Sequence, residues 1–233
     1  HLRPVWATGG STTGFANWLA ERIDLDPQWW ELGLVDTQPA AVLGADRSLL
    51  ASGRLDNLVS CWAATDALVS AAPRSGSIAV MVLNDHEEVG SASATGAAGP
   101  LLERVLARIT AAHLDNEGAA SAAMADALAR SICVSADNAH AIHPNYPERH
   151  ERSHAPLVNR GPAVKVNVNQ RYATSAMSAA RFTSACDSAG VPWQVFTSRN
   201  DMPCGSTIGP ITATRLGADT VDVGVPQLSM HSA

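Results

Sequence analysis

Clustered cations, paired cysteines and long apolar runs are all missing from this 233-residue chain. Lys and Arg together number 16 against 22 Asp and Glu, a formal net charge of −6. Phosphate contacts need clustered Lys and Arg, so this balance argues against a nucleic-acid partner. No run approaches the apolar length of a membrane span, which argues against a membrane one. Cys61, Cys133, Cys186 and Cys204 are scattered, with no C-x-x-C pair. They read as reduced, mostly buried thiols of a cytoplasmic protein, not as a disulfide framework or a structural zinc knot. What is present is a globular composition, 46% hydrophobic and 16% charged. The length suits one large domain or one and a half, with enough chain to bury a core.

Residues 77–91 organise the rest. Ile78 to Leu83 are six consecutive apolar residues, the pattern of a strand buried on both faces. Asp85, His86, Glu87 and Glu88 follow at once, then Gly90 to let the chain turn. In an open α/β sheet, ligands sit beyond the carboxyl ends of the strands. Two adjacent carboxylates placed there repel one another unless a cation or a shared proton lies between them. An acidic, solvated loop is the plainer alternative, and a metal site is the favoured one.

Upstream, Phe15 to Ile23 has helical spacing, which Pro27 blocks from continuing. Trp29 to Val35 suits a strand, and 44–46 a loop. Leu58 to Leu68 is a clear helix that Asp56 or Asn57 is placed to cap. Pro73 to Ser77 form a turn. Downstream, helices are expected over 101–112 and 119–130, and a short strand over 132–135 ends just before Asp137. Asp137, His140 and His143 put a carboxylate and two histidines at spacings of three, which suits either metal ligation or a hydrogen-bonded loop. Ala163 to Val168 alternates with period two, setting Lys165 and Asn167 on one face of a strand. A helix over 174–187, a strand over 193–197, a loop over 199–210 and a last strand over 220–225 complete the pattern. Alternating strands and helices predict an α/β fold, its central sheet largely parallel or mixed and flanked by helices.

Asp56, Glu87, Glu88, Asp137 and His231 each fall near a strand end or a helix start, and such ends converge on one rim of an α/β sheet. Carboxylates and imidazole are the ligand types a zinc pair uses, and an aspartate bridging two metals lets both act on one water. The constellation predicts a two-metal hydrolase.

Six motifs then carry a resemblance over nearly the whole chain. Gly53-Arg54-Leu55-Asp56-Asn57, Asp85-His86-Glu87-Glu88-Val89-Gly90-Ser91 and Ala139-His140-Ala141-Ile142-His143-Pro144-Asn145-Tyr146 are the first three. Asn169-Gln170-Arg171-Tyr172-Ala173-Thr174, Pro203-Cys204-Gly205-Ser206-Thr207-Ile208-Gly209-Pro210 and Met230-His231-Ser232 follow in order. Together they resemble the bacterial type of M18 aspartyl aminopeptidase. The resemblance implies removal of N-terminal Asp or Glu from peptides at a centre of two Zn2+, with Co2+ or Mn2+ as alternative metals. It implies that Asp56 bridges the metals, that Glu88 and Asp137 each complete one metal's shell, and that His231 is a terminal ligand. Glu87 would be the general base, and His140 would sit beside the substrate to stabilise the developing oxyanion. Lys165 would read the acidic side chain by charge pairing. Gly205 and Ser206 would line the pocket with backbone groups, and Cys204 would not act as a nucleophile because no base is paired with it. A homo-oligomer is implied for the full-length protein.

Some features depart from the pattern. The family's earlier His-x-Asp motif, whose histidine is the remaining metal ligand, has no counterpart here; His113-Leu114-Asp115 ends a helix in the wrong place. Asn138 stands where a Met is usual. The chain opens at His1 without a Met and stops at Ala233, so it reads as a C-terminal part of such an enzyme. Residues 1–48 would be the end of an inserted dimerisation domain and 49–233 a part of the catalytic domain. Two other readings are a non-catalytic fragment or assembly subunit that keeps the fold, and a related metallo-deacetylase.

Overall fold

Phe15, Trp18, Leu19 and Ile23 fall on one stripe of helix α1 (Phe15–Ile23), at the bounds their spacing predicts. In this computed structural model, residues 4–9, 14–72, 74–114 and 117–231 are described; His1, Pro73, Asp115, Ser232 and Ala233, named above, lie outside them. The chain divides into two compact units between Gly53 and Arg54. In the first, Trp6 packs edge-on to Phe15 at 5.2 Å and beside Trp18 at 4.3 Å, and the Arg22 guanidinium lies 5.0 Å above the Trp18 ring. Strands β1 (Ala41–Leu43) and β2 (Leu49–Ala51) form an antiparallel hairpin around the loop at Gly44, flanking strands that the sequence reading did not foresee. The strand expected over Trp29–Val35 is not formed. No described strand pairs with it, so no ladder satisfies its backbone, and Trp29 is 92% exposed.

The second unit holds α2 (Leu55–Ser70), α3 (Leu101–Ala111), α4 (Glu117–Ala129), α5 (Ala176–Ser188) and α6 (Gly209–Leu216). Its sheet has four strands in the order β3 (Ile132–Ala136), β7 (Asp219–Gly224), β5 (Ala163–Val166), β6 (Gln194–Thr197). The β3–β7 and β5–β6 pairs are parallel and the β5–β7 pair is antiparallel, so the sheet is mixed. A short parallel pair, β4 (Ala139–His140) with β8 (Pro226–Gln227), extends past it. β-Branched Val164, Val221 and Val223 form the buried core, against which Ala179 and Phe182 of α5 pack. That helix starts at a reciprocal cap between Ser175 and Ser178. No described helix is long and apolar enough to cross a membrane.

The organising strand is a correction. Residues 78–83 form no strand, and Ile78 is 71% exposed. Six apolar residues specify a strand only where a neighbour completes the ladder, and among the described residues the sole bridge nearby joins Asp85 to Gly96. Helix α6, in turn, lies where the sequence reading placed a loop and nothing after it, although Pro210 in its first turn and Gly217 past its end are the usual punctuation. The thiols are all free, but only Cys186 is buried.

Asp222 ties these layers together from the middle of β7, with 0% exposure. Its carboxylate accepts from Ser135 Oγ, Thr207 Oγ1 and the Ala173 N–H, each at 2.6 Å. A Cβ on Gly209 would lie 2.2 Å from that carboxylate, so only glycine fits at the start of α6. Asp222→Ala leaves two buried hydroxyls and the half-buried Ala173 N–H without an acceptor. It is expected to cost about 3–5 kcal/mol and to lower the melting temperature by roughly 10 °C; a fall below about 2 °C in a thermal scan would remove Asp222 from this role.

Candidate metal centre

Each candidate residue reaches the site from a different element. Asp56 lies in the first turn of α2 but does not cap it: no side chain caps this helix, and Asp56 and Asn57 both leave helical dihedrals. Asn57 instead donates to the Ala136 carbonyl at 3.0 Å. Glu87 and Glu88 open the 3-10 turn Glu87–Val89, which Gly90 closes at φ +98° by donating to the Glu87 carbonyl. Residues 91–96 brace that turn, with His86 Nδ1 2.8 Å from Ser93 Oγ and Thr95 Oγ1 donating to Asp85 Oδ2. Asp137 follows β3, and its N–H donates to the Val223 carbonyl on β7. His140 lies on β4, Lys165 on β5, and His231 just beyond β8.

These nine residues, Asp56, Glu87, Glu88, Asp137, His140, Lys165, Gly205, Ser206 and His231, line a single cavity of about 840 Å³. Within it, Asp56, Glu88 and His231 each place one donor atom within 4.8 Å of the others. His231 Nε2 lies 3.0 Å from Asp56 Oδ2 and 3.3 Å from Glu88 Oε1. A zinc ion with ligands at about 2.0–2.2 Å in a tetrahedron separates its donors by about 3.3–3.6 Å. The donor types fit such an ion, the Glu88 spacing matches it, and the 3.0 Å contact of His231 with Asp56 is a hydrogen bond that would open slightly to admit it.

Asp137 is not in that trio. Its Oδ2 pairs with Lys165 Nζ at 3.4 Å, and its Oδ1 accepts from the Asn138 N–H at 2.8 Å. Lys165 is the chain's only lysine, is 3% exposed, and lies 5.5 Å over the ring of buried Tyr172. Tyr172 in turn packs edge-on against Phe196 at 6.2 Å. Tyr172 falls inside the Asn169–Thr174 motif, which by itself gives it no task. Its place under the only lysine is visible only once β5 and the 172 turn are folded together.

Crowding sets the charges. Burial, then the charges of Asp137, Glu88 and Asp56, raise Glu87 above the usual carboxylate range, while Lys165 works against them. Burial also raises Asp137, with Lys165 opposing and Asp56 adding to the shift. Burial raises Glu88 too, against the pull of His231. Asp56 goes the other way: burial opposes ionisation, but hydrogen bonds with His231, Asp137 and Asn138 outweigh it. The same bond to Asp56 raises His231. Partial burial and the cationic neighbours His231, His150 and Lys165 lower His140. One carboxylate is held charged while its neighbours lean towards protonation, the state in which a cation would displace protons on binding.

Residues 16–233 match the family model described as Aminopeptidase I zinc metalloprotease (M18). The chain is 47% identical to a probable M18 family aminopeptidase 2 of Streptomyces coelicolor over 100% of its own length and 55% of that protein's. The fold is similar to the crystal structure of an M18-family aminopeptidase from Thermotoga maritima, with a TM-score of 0.72 at 32% identity, covering 83% of this chain and 43% of that one. It is also similar to the mApe1 dodecamer of S. cerevisiae, with a TM-score of 0.69 at 32% identity over 84% of this chain and 44% of that one. Fold and matches agree on one family, whose model is described as a zinc metalloprotease. The chain belongs to the M18 aminopeptidase family. It spans about half the length of the curated relatives it matches, 45% to 55%.

Proposed function

We propose that this protein is a zinc aminopeptidase that removes acidic residues, Asp or Glu, from the N-termini of peptides. The observation that carries the proposal is the convergence of Asp56, Glu88 and His231 beside Glu87 and Lys165 in one cavity. Asp56, Glu88, Asp137 and His231 would hold two zinc ions, with Asp56 between them. Zinc bound there supplies Lewis acidity, polarising a carbonyl and making a nearby water easier to deprotonate.

The chain's own residues do the rest. Glu87, half-buried and raised by its neighbours, takes the proton of the attacking water and returns it to the leaving amine. His140, held towards its neutral form, donates a hydrogen bond to the developing oxyanion. Lys165 faces the substrate's acidic side chain, and Gly205 and Ser206 line the same cavity with backbone groups. Residues 1–48 would be the end of an inserted dimerisation domain and 49–233 the C-terminal part of the catalytic domain, in a homo-oligomer like the dodecameric relative.

The test is zinc titration of the chain followed by hydrolysis of paired chromogenic substrates. Aspartyl amides with a free amine are expected to be cleaved more than about tenfold faster than neutral ones, the discrimination of one hydrogen bond to a charged group. Cleavage of N-acyl amino acids with no cleavage of free-amine peptides would instead assign a metallo-deacetylase, and a folded chain without zinc would assign a non-catalytic fragment or a subunit of assembly. His231→Ala is expected to weaken zinc binding by more than about 100-fold, because even partners outside the ligand set are worth about 10- to 100-fold. Unchanged affinity would dissolve the proposed trio.

A further inference from the structure

Asn138 connects two of the carboxylates and has no task in the reading above. It is 2% exposed. Its Nδ2 donates to the Leu55 carbonyl at 3.0 Å and to Asp56 Oδ1 at 3.2 Å. Its backbone N–H donates to Asp137 Oδ1 at 2.8 Å. One residue on the turn after β3 thus holds a carboxylate of α2 and its own neighbour's carboxylate.

The chemistry of the amide fixes its orientation. A primary amide has two donor hydrogens, and both point here at oxygens that can only accept. Turned over, the amide oxygen would face those two acceptors and repel them. The arrangement leaves Asn138 Oδ1 buried with no protein donor in reach. Burying an unpaired acceptor is unfavourable, and an apolar side chain of similar size would avoid that penalty. The bond to the Leu55 carbonyl serves the start of α2, and the bond to Asp56 Oδ1 is the one that bears on the cavity. With Oδ1 anchored, Asp56 presents Oδ2 to His231 Nε2 at 3.0 Å.

We propose that Asn138 is a positioning residue for the metal centre, an amide strut that fixes Asp56 against Asp137 before a cation arrives. The proposal rests on the zinc reading above. Like charges crowded in one cavity move apart unless something holds them, and a site that must regather its ligands binds more weakly than one already assembled.

The test measures zinc affinity by chelator competition, and metal-free melting temperature, for the unaltered chain and for Asn138→Leu, Asn138→Ala and Thr220→Val. The backbone bond to Asp137 survives each substitution at 138, so the side chain's share is isolated. Thr220 is a buried hydroxyl on β7 that donates to the Ala218 carbonyl, a matched loss of buried polarity away from the cavity. Affinities are read well below the lowest melting temperature, so every variant is folded when titrated. Asn138→Leu is expected to weaken zinc binding about 10- to 100-fold, with a metal-free melting temperature lowered no more than by Thr220→Val. Thr220→Val should leave affinity within about twofold, the outcome expected of a loss that does not touch a ligand. Should Leu prove too bulky and depress melting, Asn138→Ala, which cannot overpack, decides by affinity. Affinity losses at Asn138 no larger than at Thr220 overturn the proposal. A separate failure, in which the unaltered chain binds no zinc or His231→Ala binds it equally well, overturns the zinc reading instead.

Discussion

Glu87→Gln should cut turnover of an aspartyl substrate by about 10²- to 10⁴-fold, the usual contribution of a positioned general base, and leave zinc content unchanged. Glutamine keeps the shape and hydrogen-bonding reach of the side chain but cannot accept a proton near neutral pH. Glu87 lies in the cavity beside Glu88 yet outside the Asp56–Glu88–His231 trio, so metal retention is the expected companion result. Burial and three neighbouring carboxylates favour its protonated form, bringing its proton affinity closer to the working pH, where a base transfers protons with least loss. Turnover above a tenth of normal in the zinc-loaded variant would move the base elsewhere. Loss of zinc along with turnover would make Glu87 a ligand.

Lys165→Met should lower kcat/KM for acidic substrates relative to neutral ones by about 10- to 150-fold, the worth of one hydrogen bond to a charged group. The ratio matters because Lys165 already has two neighbours. It pairs with Asp137 at 3.4 Å and sits over the Tyr172 ring, so removing it disturbs a carboxylate assigned to the metal site. That damage falls on every substrate alike and cancels in the ratio. Methionine preserves the stem against Tyr172 and deletes only the charge. Equal losses on acidic and neutral substrates would make Lys165 a counter-charge for Asp137 and nothing more. Arg149 and Arg199, which line the same cavity, would then be the cations to examine for acidic recognition.

Much of the fold was legible because its signals are local. The spacing at Phe15–Ile23, the alternation at Ala163–Val166 and the small-residue run of α5 each encode an element in consecutive residues, and each forms within a few residues of expectation. Residues 78–83 failed because a strand is a relation between two segments, and an apolar run says nothing of its partner. Helix α6 was hidden because Gly209 and Pro210 look like loop residues until Asp222 is seen to need the space beside Gly209. At the site, residue types pointed to Asp56, Glu88 and His231 among the candidates, and the structure brings donor atoms of those three within 4.8 Å of one another. The bonds of Asn138 to Asp56 and of Lys165 to Asp137 join positions 82 and 28 residues apart, and no local pattern encodes them.

The 3.0 Å approach of His231 to Asp56 closes a span of 175 residues. In an unfolded chain those two side chains meet only by rare loop closure, so the denatured ensemble offers a cation no comparable place. An ion that binds the trio therefore favours the native state, and the margin of that preference adds to the free energy of unfolding. Metal availability would then govern how long the folded molecule survives as well as how fast it works.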